Sequence, residues 1–327
     1  MPDLTLNMTL RAYDHLTPLF LGDVPTPGIK LNLDHRAPLT SAFPEGLAAA
    51  EVSFNRYVLA AAKGDDSLIG LPAFILRGFR HRNYIVRRDS PLETLADLRG
   101  RTIGTNSWSD TGTMWARAAM RDAGVQVSDV DWVIGDLDEA TPLKPPTALD
   151  VDPPRGSRVL RSGETLMGKL RDGSIDAVTT AFMPEPVFQP DGEFRRLVRN
   201  YREVEQEFHR RTGVYPGFHI VAVRRDFAEA HPAAVITLYN ALRASWDLWW
   251  SKAKKFAEGS PWAMEEVETM IRDFPGDTPP FGTEAVAHQR MLAMICHEQF
   301  AQGLIARAAR PEDLFGAFER LGTRIAA

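Results

Sequence analysis

Short apolar runs alternate with helix-period segments from the amino terminus to about residue 180. Helical periodicity appears after Asp14, where Gly22 stops a short helix, and again at 54–62, 110–123 and 164–171. Because strands and helices alternate, the pattern predicts an α/β fold with largely parallel sheets. Strands are predicted at Leu4–Tyr13, Ile29–Leu33, Glu51–Ser53, Leu68–Leu76, Asn83–Arg87, Thr102–Gly104, Val130–Ile134, Arg158–Leu160 and Ile175–Val178.

After Asp226 the pattern becomes almost entirely helical, with predicted helices over about 232–256, 261–273 and 283–303. The apolar run Gly217–Val223 predicts a strand that returns the chain to its first lobe. We therefore expect two lobes, one from residues 1–88 and 217–327 and the other from 89–216. A ligand cleft between two such lobes is the expected small-molecule site.

The composition excludes several classes of protein. Of 327 residues, 44% are hydrophobic and 25% charged, as in an ordinary globular chain. The net charge of −5 argues against a nucleic-acid or anionic-membrane surface. The single cysteine, Cys296, falls in a helical pattern and is expected to be a buried, inert thiol. The first 20 residues lack the features of a signal peptide, and no apolar run would span a membrane, so a cytoplasmic protein is expected.

The sequence carries no recognised cofactor motif. It has no HExxH, no paired-histidine spacing and neither glycine-rich nucleotide motif, so we expect no metal and no cofactor. A metal site formed by histidines and carboxylates that lie far apart in the sequence stays an open alternative. Trp246, Trp249 and Trp250 share the long helix and are expected in the core or at a subunit interface, which leaves a homo-oligomer open.

Five segments in order resemble a known family over about 6–315. The chain resembles the 4,5-dihydroxyphthalate decarboxylases, aromatic-acid decarboxylases similar in fold to type II periplasmic solute-binding proteins. The resemblance implies a two-lobed α/β fold of that type, with a helical C-terminal region. The segments are YDHLTPLFLG with PGIKLN (Tyr13–Asn32), AEVSFNRYVLAAAKGD (Ala50–Asp65), FRHRNYIVRRDSPLETLADLRGRTIGT (Phe79–Thr105), YREVEQEFHRRTGVYPGFHIVAVRRD (Tyr201–Asp226) and HEQFAQGLIAR (His297–Arg307).

Two places depart from the family pattern. His15 stands where the family commonly has an arginine after Tyr-Asp. The loop Asn106–Thr113 does not match the usual sequence of the family at that place. Both places are expected to face the ligand, so the natural substrate need not be 4,5-dihydroxyphthalate itself.

Four basic residues cluster where one predicted strand ends and the next begins. Arg77, Arg80 and Arg82 are candidate carboxylate ligands, because a guanidinium grips a carboxylate with two parallel hydrogen bonds. The alternative is a solvated strand edge. His81 matches a family position near the cleft and is a candidate catalytic residue, as is His219 in the returning strand. Histidine titrates near neutrality, which suits proton delivery to carbon, although a strand histidine often only binds a backbone carbonyl.

A hydroxyl-rich loop runs into the predicted 110–123 helix. Ser107, Thr111 and Thr113 are candidate ligands there, because helix N-termini favour anions. Ser109 or Asp110 capping the helix is the structural alternative. Trp108 is either a stacking platform for an aromatic ring or wall packing.

The remaining candidates follow predicted strands, where parallel sheets place their ligands. They are expected to bind substrate; the alternative is an exposed loop position for Glu185, Ser53 and Asn55, and a helix cap for Asp14. These residues are Asp14, His15, Ser53, Asn55 and Glu185.

These expectations combine into one hypothesis, cofactor-independent decarboxylation of a hydroxylated aromatic acid. Protonation of the carboxyl-bearing carbon would give a dienone-like intermediate that loses CO₂. The rival is a solute-binding protein that captures a small aromatic or other carboxylic acid without chemistry. Both readings predict a small carboxylic acid as ligand. The fold cannot separate them, because function lies in the site rather than in the scaffold.

Overall fold

Strands and helices alternate through most of the chain. The computed structural model describes residues 4–35, 43–143, 147–148, 150–257, 259–274 and 279–326. The strands within these residues are β1 (Leu4–Thr9), β2 (Ile29–Asp34), β3 (Ala49–Ser53), β4 (Leu68–Gly70), β5 (Leu76–Arg77), β6 (Tyr84–Arg87), β7 (Thr102–Thr105), β8 (Asp131–Ile134), β9 (Arg158–Val159), β10 (Ala177–Thr179), β11 (Phe194–Arg196) and β12 (Gly217–Arg224).

The helices follow the predicted periodicity, and the predicted helix over 54–62 has the predicted bounds. The sequence did not predict α5, whose exposed face is strongly polar. The described helices are α1 (Thr17–Leu21), α2 (Phe54–Ala62), α3 (Thr111–Asp122), α4 (Leu166–Arg171), α5 (Tyr201–Thr212), α6 (Arg225–Ala230), α7 (Pro232–Ala253), α8 (Ala263–Asp273), α9 (Val286–Ala301) and α10 (Gly316–Ala326).

The strands form two sheets, and the expectation of largely parallel sheets is wrong. In the first sheet, of order β2-β1-β3-β12-β4, β12 runs antiparallel to β3, β4 and β5. In the second, of order β11-β6-β10-β7-β8-β9, β6 runs antiparallel to β10 and β11. The parallel pairs are β1 with β2 and β3, β7 with β8 and β10, and β8 with β9. Strands such as β6 and β12 enter their sheets from the opposite end, which the apolar pattern of a single strand does not encode.

The chain divides into two compact units. The first comprises Met1–Arg77, Gly217–Ala293 and Ala309–Ala327, and the second comprises Gly78–Pro216 and Met294–Ala308. These bounds differ from the predicted lobes in two places.

Both differences have a structural cause. Residues 78–88 belong to the second unit because β6 pairs with β10 and β11. Residues 294–308 join it as well, since the Gln302 amide donates to the Met114 carbonyl at 3.0 Å and accepts from Arg117 Nε at 2.8 Å.

Each unit has its own apolar core. In the first, Leu6 and Met8 of β1 pack with Val221 of β12 and with Leu238 and Leu242 of α7. These side chains are at most 1% exposed. The alternation of β1 therefore gives the first sheet one fully buried face, which fixes its register.

The second core is smaller and lies around β10. Ile85 of β6 and Val178 of β10 pack against Leu166 and Leu170 of α4, and all four are fully buried. Cys296 is buried as expected. Within the described ranges, no helix is long and apolar enough to cross a membrane.

Candidate active site

Two neighbouring strands of the first unit bring a carboxylate and an imidazole together. In the antiparallel register of β3 and β12, Val221 lies opposite Glu51 and His219 lies opposite Ser53. Side chains alternate along a strand, so Glu51 and His219 occupy the same face as diagonal neighbours. His219 Nδ1 lies 2.5 Å from Glu51 Oε1.

Three donors converge on the Glu51 carboxylate. Besides His219, the Tyr13 hydroxyl donates to Oε1 at 2.7 Å, and the Arg11 backbone N–H donates to Oε2 at 2.9 Å. Both Tyr13 and Arg11 lie just after β1, which pairs with β3 in parallel. The carboxylate is therefore held from two sides in a position where only 1% of its side chain is exposed, against 14% for His219.

The hydrogen bonds decide the charge of this group. Burial alone would raise the pKa of Glu51, but the bonds from His219, Tyr13 and the Arg11 backbone outweigh it, so its pKa lies below the usual value. Burial and the Glu51 charge raise the pKa of Tyr13 far above its usual value. At neutral pH the site therefore holds an ionised carboxylate beside a neutral phenol.

Because the Glu51 carboxylate is ionised, the proton on His219 can be assigned to one ring nitrogen. A carboxylate only accepts, so Nδ1 of His219 carries a proton and donates it to Glu51. The nitrogen left for chemistry is Nε2. A histidine oriented in this way by a carboxylate is the arrangement that general acids and bases use.

His15 and Arg77 lie in the same region of the first unit. The His15 ring stacks parallel to that of Tyr13 with centroids 5.7 Å apart, and the Trp246 ring packs edge-on against it at 5.2 Å. Burial and the positive charge of Arg77 lower the pKa of His15 to about 4. His15 is therefore neutral at pH 7, and the guanidinium of Arg77 is close enough to act on this cluster.

The other candidates in the first unit lie where helical segments begin. Ser53 caps α2, its hydroxyl accepting from the Arg56 N–H at 3.4 Å. Asn55 is fully buried in the first turn of α2. Asp14 is exposed at the start of a short 3-10 turn and does not join the Glu51 cluster.

In the second unit, the hydroxyl-rich loop mainly builds the start of α3. Asp110 is the cap, accepting from the Gly112 N–H at 2.6 Å, which confirms the structural alternative. Thr111 and Thr113 are buried, and the Thr113 hydroxyl donates to the Asp110 carbonyl. The carbonyl of Ser107 accepts from the Thr105 hydroxyl.

Trp108 and Glu185 have very different surroundings, and ligand binding by either residue stays a prediction. The guanidinium of Arg117 lies 3.9 Å from the centre of the Trp108 ring, and Trp132 packs edge-on against it at 5.1 Å. These contacts agree with the packing alternative for Trp108. Glu185 is exposed at the start of a short 3-10 turn.

His81 occupies a different environment from His219. It is 3% exposed, and the rings of Phe208 and Phe79 lie 5.1 and 6.3 Å from its own. Burial lowers the pKa of His81 to about 4, so at neutral pH its imidazole carries no proton beyond its single N–H. This environment does not suit a proton donor.

Arg80 and Arg82 flank a buried carboxylate that sequence reasoning missed. Glu205 of α5 is 7% exposed, and its Oε1 accepts from the Arg82 backbone N–H at 3.4 Å. The charges of Arg82, Arg80 and Arg196 all act on it. Burial nevertheless raises its pKa to about 7, while burial lowers the pKa of Arg80 to about 10.

Glu205 gives the first testable prediction. Its carboxyl is protonated in both folded and unfolded chains below about pH 4.5, and ionised in both above about 7. The cost of burying the charge therefore develops between these values, and stability falls as pH rises through them. Glu205→Gln should stabilise the protein by about 1–3 kcal/mol at pH 8 and by much less at pH 4.5, measured by urea denaturation.

The matched control for this measurement is Glu207→Gln, an exposed position on the same helix. It should leave stability nearly unchanged at both values of pH. Equal effects of Glu205→Gln at pH 4.5 and pH 8 would show that the carboxyl titrates normally.

Glu51 is a candidate residue that was not predicted from the sequence. A signal for it was present, because a glutamate within the apolar run Ala48–Val52 has to find a partner if the strand is buried. Its partner, however, is set by the register of β3 with β12. Among the described residues, no group of three histidine, cysteine, aspartate or glutamate side chains is arranged as a metal site.

Comparison with known proteins points to one group of enzymes. The NMT1/THI5-like family model matches residues 42–145. The 4,5-dihydroxyphthalate decarboxylase of Comamonas testosteroni is 27% identical over 96% of this chain and 97% of its own length. The chain resembles the 4,5-dihydroxyphthalate decarboxylases. The enzyme of that name from Pseudomonas putida is 29% identical over 64% of this chain and 83% of its own length.

The resemblance predicted from the sequence is thus confirmed, and the names of both relatives agree with the predicted carboxy-lyase. The fold is confirmed separately. The periplasmic aliphatic sulphonate binding protein SsuA of Escherichia coli superposes with a TM-score of 0.52 at 12% identity, covering 94% of this chain and 90% of its own. That likeness supports the periplasmic-binding-protein-like α/β fold.

Proposed function

We propose that this protein decarboxylates a hydroxylated aromatic carboxylic acid similar to 4,5-dihydroxyphthalate, with His219 as the proton donor. The observation that carries the proposal is the His219–Glu51 pair, at 2.5 Å on one face of the first sheet. The resemblance to two decarboxylases over most of the chain supports the reaction class.

The proposed reaction begins with proton transfer to the ring. Protonated His219 gives the proton on Nε2 to the carbon that bears the carboxylate. A ring hydroxyl ortho or para to that carbon supplies electron density and loses its own proton to solvent, giving a dienone. The ionised Glu51 accepts the Nδ1 proton of His219, so Nε2 is the nitrogen that delivers the proton.

Loss of CO₂ completes the reaction. The electron pair of the bond to the carboxylate returns to the ring, aromaticity is restored, and the ring oxygen recovers a proton. His219 is then neutral and takes a proton from solvent. The net change consumes one proton and converts the carboxylate into a C–H bond and CO₂.

Arg77 is the proposed carboxylate anchor of the first unit. It is half-buried at the end of β5, opposite Gly217 and thus near His219 on β12, and its charge acts on His15. Carboxylate binding by Arg80 and Arg82 stays a prediction, because the charges of both arginines already act on the Glu205 carboxyl.

The test is turnover of a defined panel. Purified protein is incubated with 4,5-dihydroxyphthalate, 4-hydroxybenzoate, 3-hydroxybenzoate and unsubstituted phthalate, and CO₂ is measured. Turnover is expected only where a hydroxyl lies ortho or para to a carboxylate, which excludes the last two compounds. In D₂O the product should carry deuterium at the carbon that lost the carboxylate. Binding across the panel without CO₂ would favour the solute-binding alternative.

Arg77→Met gives a second prediction. Loss of a charge-assisted hydrogen bond to the substrate carboxylate should raise KM by about 10–100-fold, with a smaller effect on kcat. Steady-state kinetics on the best substrate of the panel would measure both. Arg224→Met, at an exposed ion pair with Asp226 at the end of β12, is the matched control and should change neither. An unchanged KM in Arg77→Met would remove Arg77 from the site.

A further inference from the structure

A pocket of about 620 Å³ lies wholly within the second unit. It is formed by the end of α3, the segment 93–96 and the outer face of α5. Its volume is in the range of small-molecule sites, about 300–1,000 Å³. The residues that give it an apolar wall are Leu95, Ala119, Val198, Val204 and Phe208, and His81 is also part of its lining.

His81 is the polar group of this wall. It is only 3% exposed, its Nδ1 is fully shielded from solvent, and neither ring nitrogen has a hydrogen-bond partner among the described residues, which leaves Nε2 as the nitrogen available to a ligand. A buried polar atom left unpaired costs free energy that a hydrogen-bonding ligand would recover. Since burial keeps His81 neutral near pH 7, its imidazole suits an uncharged hydroxyl better than an anion.

The charges around the pocket do not favour an anion either. Asp122 pairs with Arg211, and Glu207 pairs with Arg210 at 2.6 Å. Glu93 contacts Arg195 at 3.0 Å, and Glu203 adds a further negative charge to the rim. With its arginines engaged by carboxylates, the rim offers little attraction for a carboxylate ligand.

We propose that this pocket binds a neutral aromatic alcohol, with the ring against Leu95, Val204 and Phe208 and the hydroxyl hydrogen-bonded to His81. The site is separate from the Glu51–His219 cluster, and its ligand differs in charge from the proposed substrate. The edge-on packing of Phe208 against His81, at 5.1 Å, places an aromatic surface beside the polar group.

Titration calorimetry of the full chain with phenol, toluene and benzoate tests the proposal. Phenol should bind saturably and more tightly than either toluene or benzoate. His81→Phe keeps a ring but removes the hydrogen bond, so phenol should bind about 3–10-fold more weakly while toluene is unchanged. Val204→Phe fills the pocket from a half-buried position and should abolish binding of both.

Two controls keep these results interpretable. His297→Phe changes an exposed histidine of the same unit and should bind phenol like the wild type. His81→Gln retains a hydrogen-bonding group and should keep most of the wild-type affinity for phenol. This variant tests the hydrogen bond even where His81→Phe folds poorly. Absence of saturable phenol binding in the wild type, tighter binding of benzoate, or unchanged binding in Val204→Phe would each overturn the proposal, whatever the outcome of the decarboxylase assay.

Discussion

His219→Asn should reduce kcat by about 10²–10⁴-fold, the usual contribution of a general acid. Asparagine can still donate to Glu51 but has no proton to deliver at neutral pH, so the carboxylate keeps a partner while proton transfer is lost. Because the Glu51 carboxylate keeps a donor, we expect the melting temperature to change by a few degrees at most. Stopped CO₂ assays with the best substrate of the panel, at saturating concentration, would measure kcat.

His231→Asn is the matched control, since it changes an exposed histidine of the same unit. Its kcat should equal that of the wild type. If His219→Asn also keeps a kcat within threefold of the wild type, His219 is not the proton donor. If the variant loses substrate binding instead, with KM raised and kcat unchanged, His219 positions the substrate.

Local periodicity predicted many of the elements near this site but not their relations. The helix at 54–62 has the predicted bounds because its apolar spacing and the Ser53 cap are both local signals. His219 was a candidate because it matches a position in the 4,5-dihydroxyphthalate decarboxylase family. That it pairs with Glu51 depends on the antiparallel register of β12 with β3, and these strands lie far apart in the chain.

His81 shows the limit of the same reasoning. Its place in a basic cluster, and its match to a family position, suggested a catalytic residue. Its environment is set by Phe208 of α5, a distant helix that the apolar pattern did not predict. An imidazole packed against phenylalanine rings is held neutral, and neither composition nor spacing encodes that burial.

Glu51→Gln should reduce kcat by about 10²–10³-fold while preserving the shape of the side chain. The change removes the negative charge that accepts the Nδ1 proton of His219. It also replaces one acceptor oxygen with an NH₂ group, although three donors converge on this carboxylate. At least one donor would then face another donor, and His219 would be oriented less well. Glu51→Asp keeps the charge but cannot reach Nδ1 at 2.5 Å without movement, so its kcat should lie between those of Glu51→Gln and the wild type.

The combined variant decides whether the two residues act as one group. If Glu51 works only through His219, adding Glu51→Gln to His219→Asn should lower kcat little further, because the imidazole on which it acts is already gone. Multiplied effects of the two changes would mean that Glu51 contacts the substrate or another catalytic group independently. Because Tyr13 also donates to Glu51, Tyr13→Phe should lower kcat less than Glu51→Gln in the first case, as it removes one donor and leaves both the charge and His219 in place.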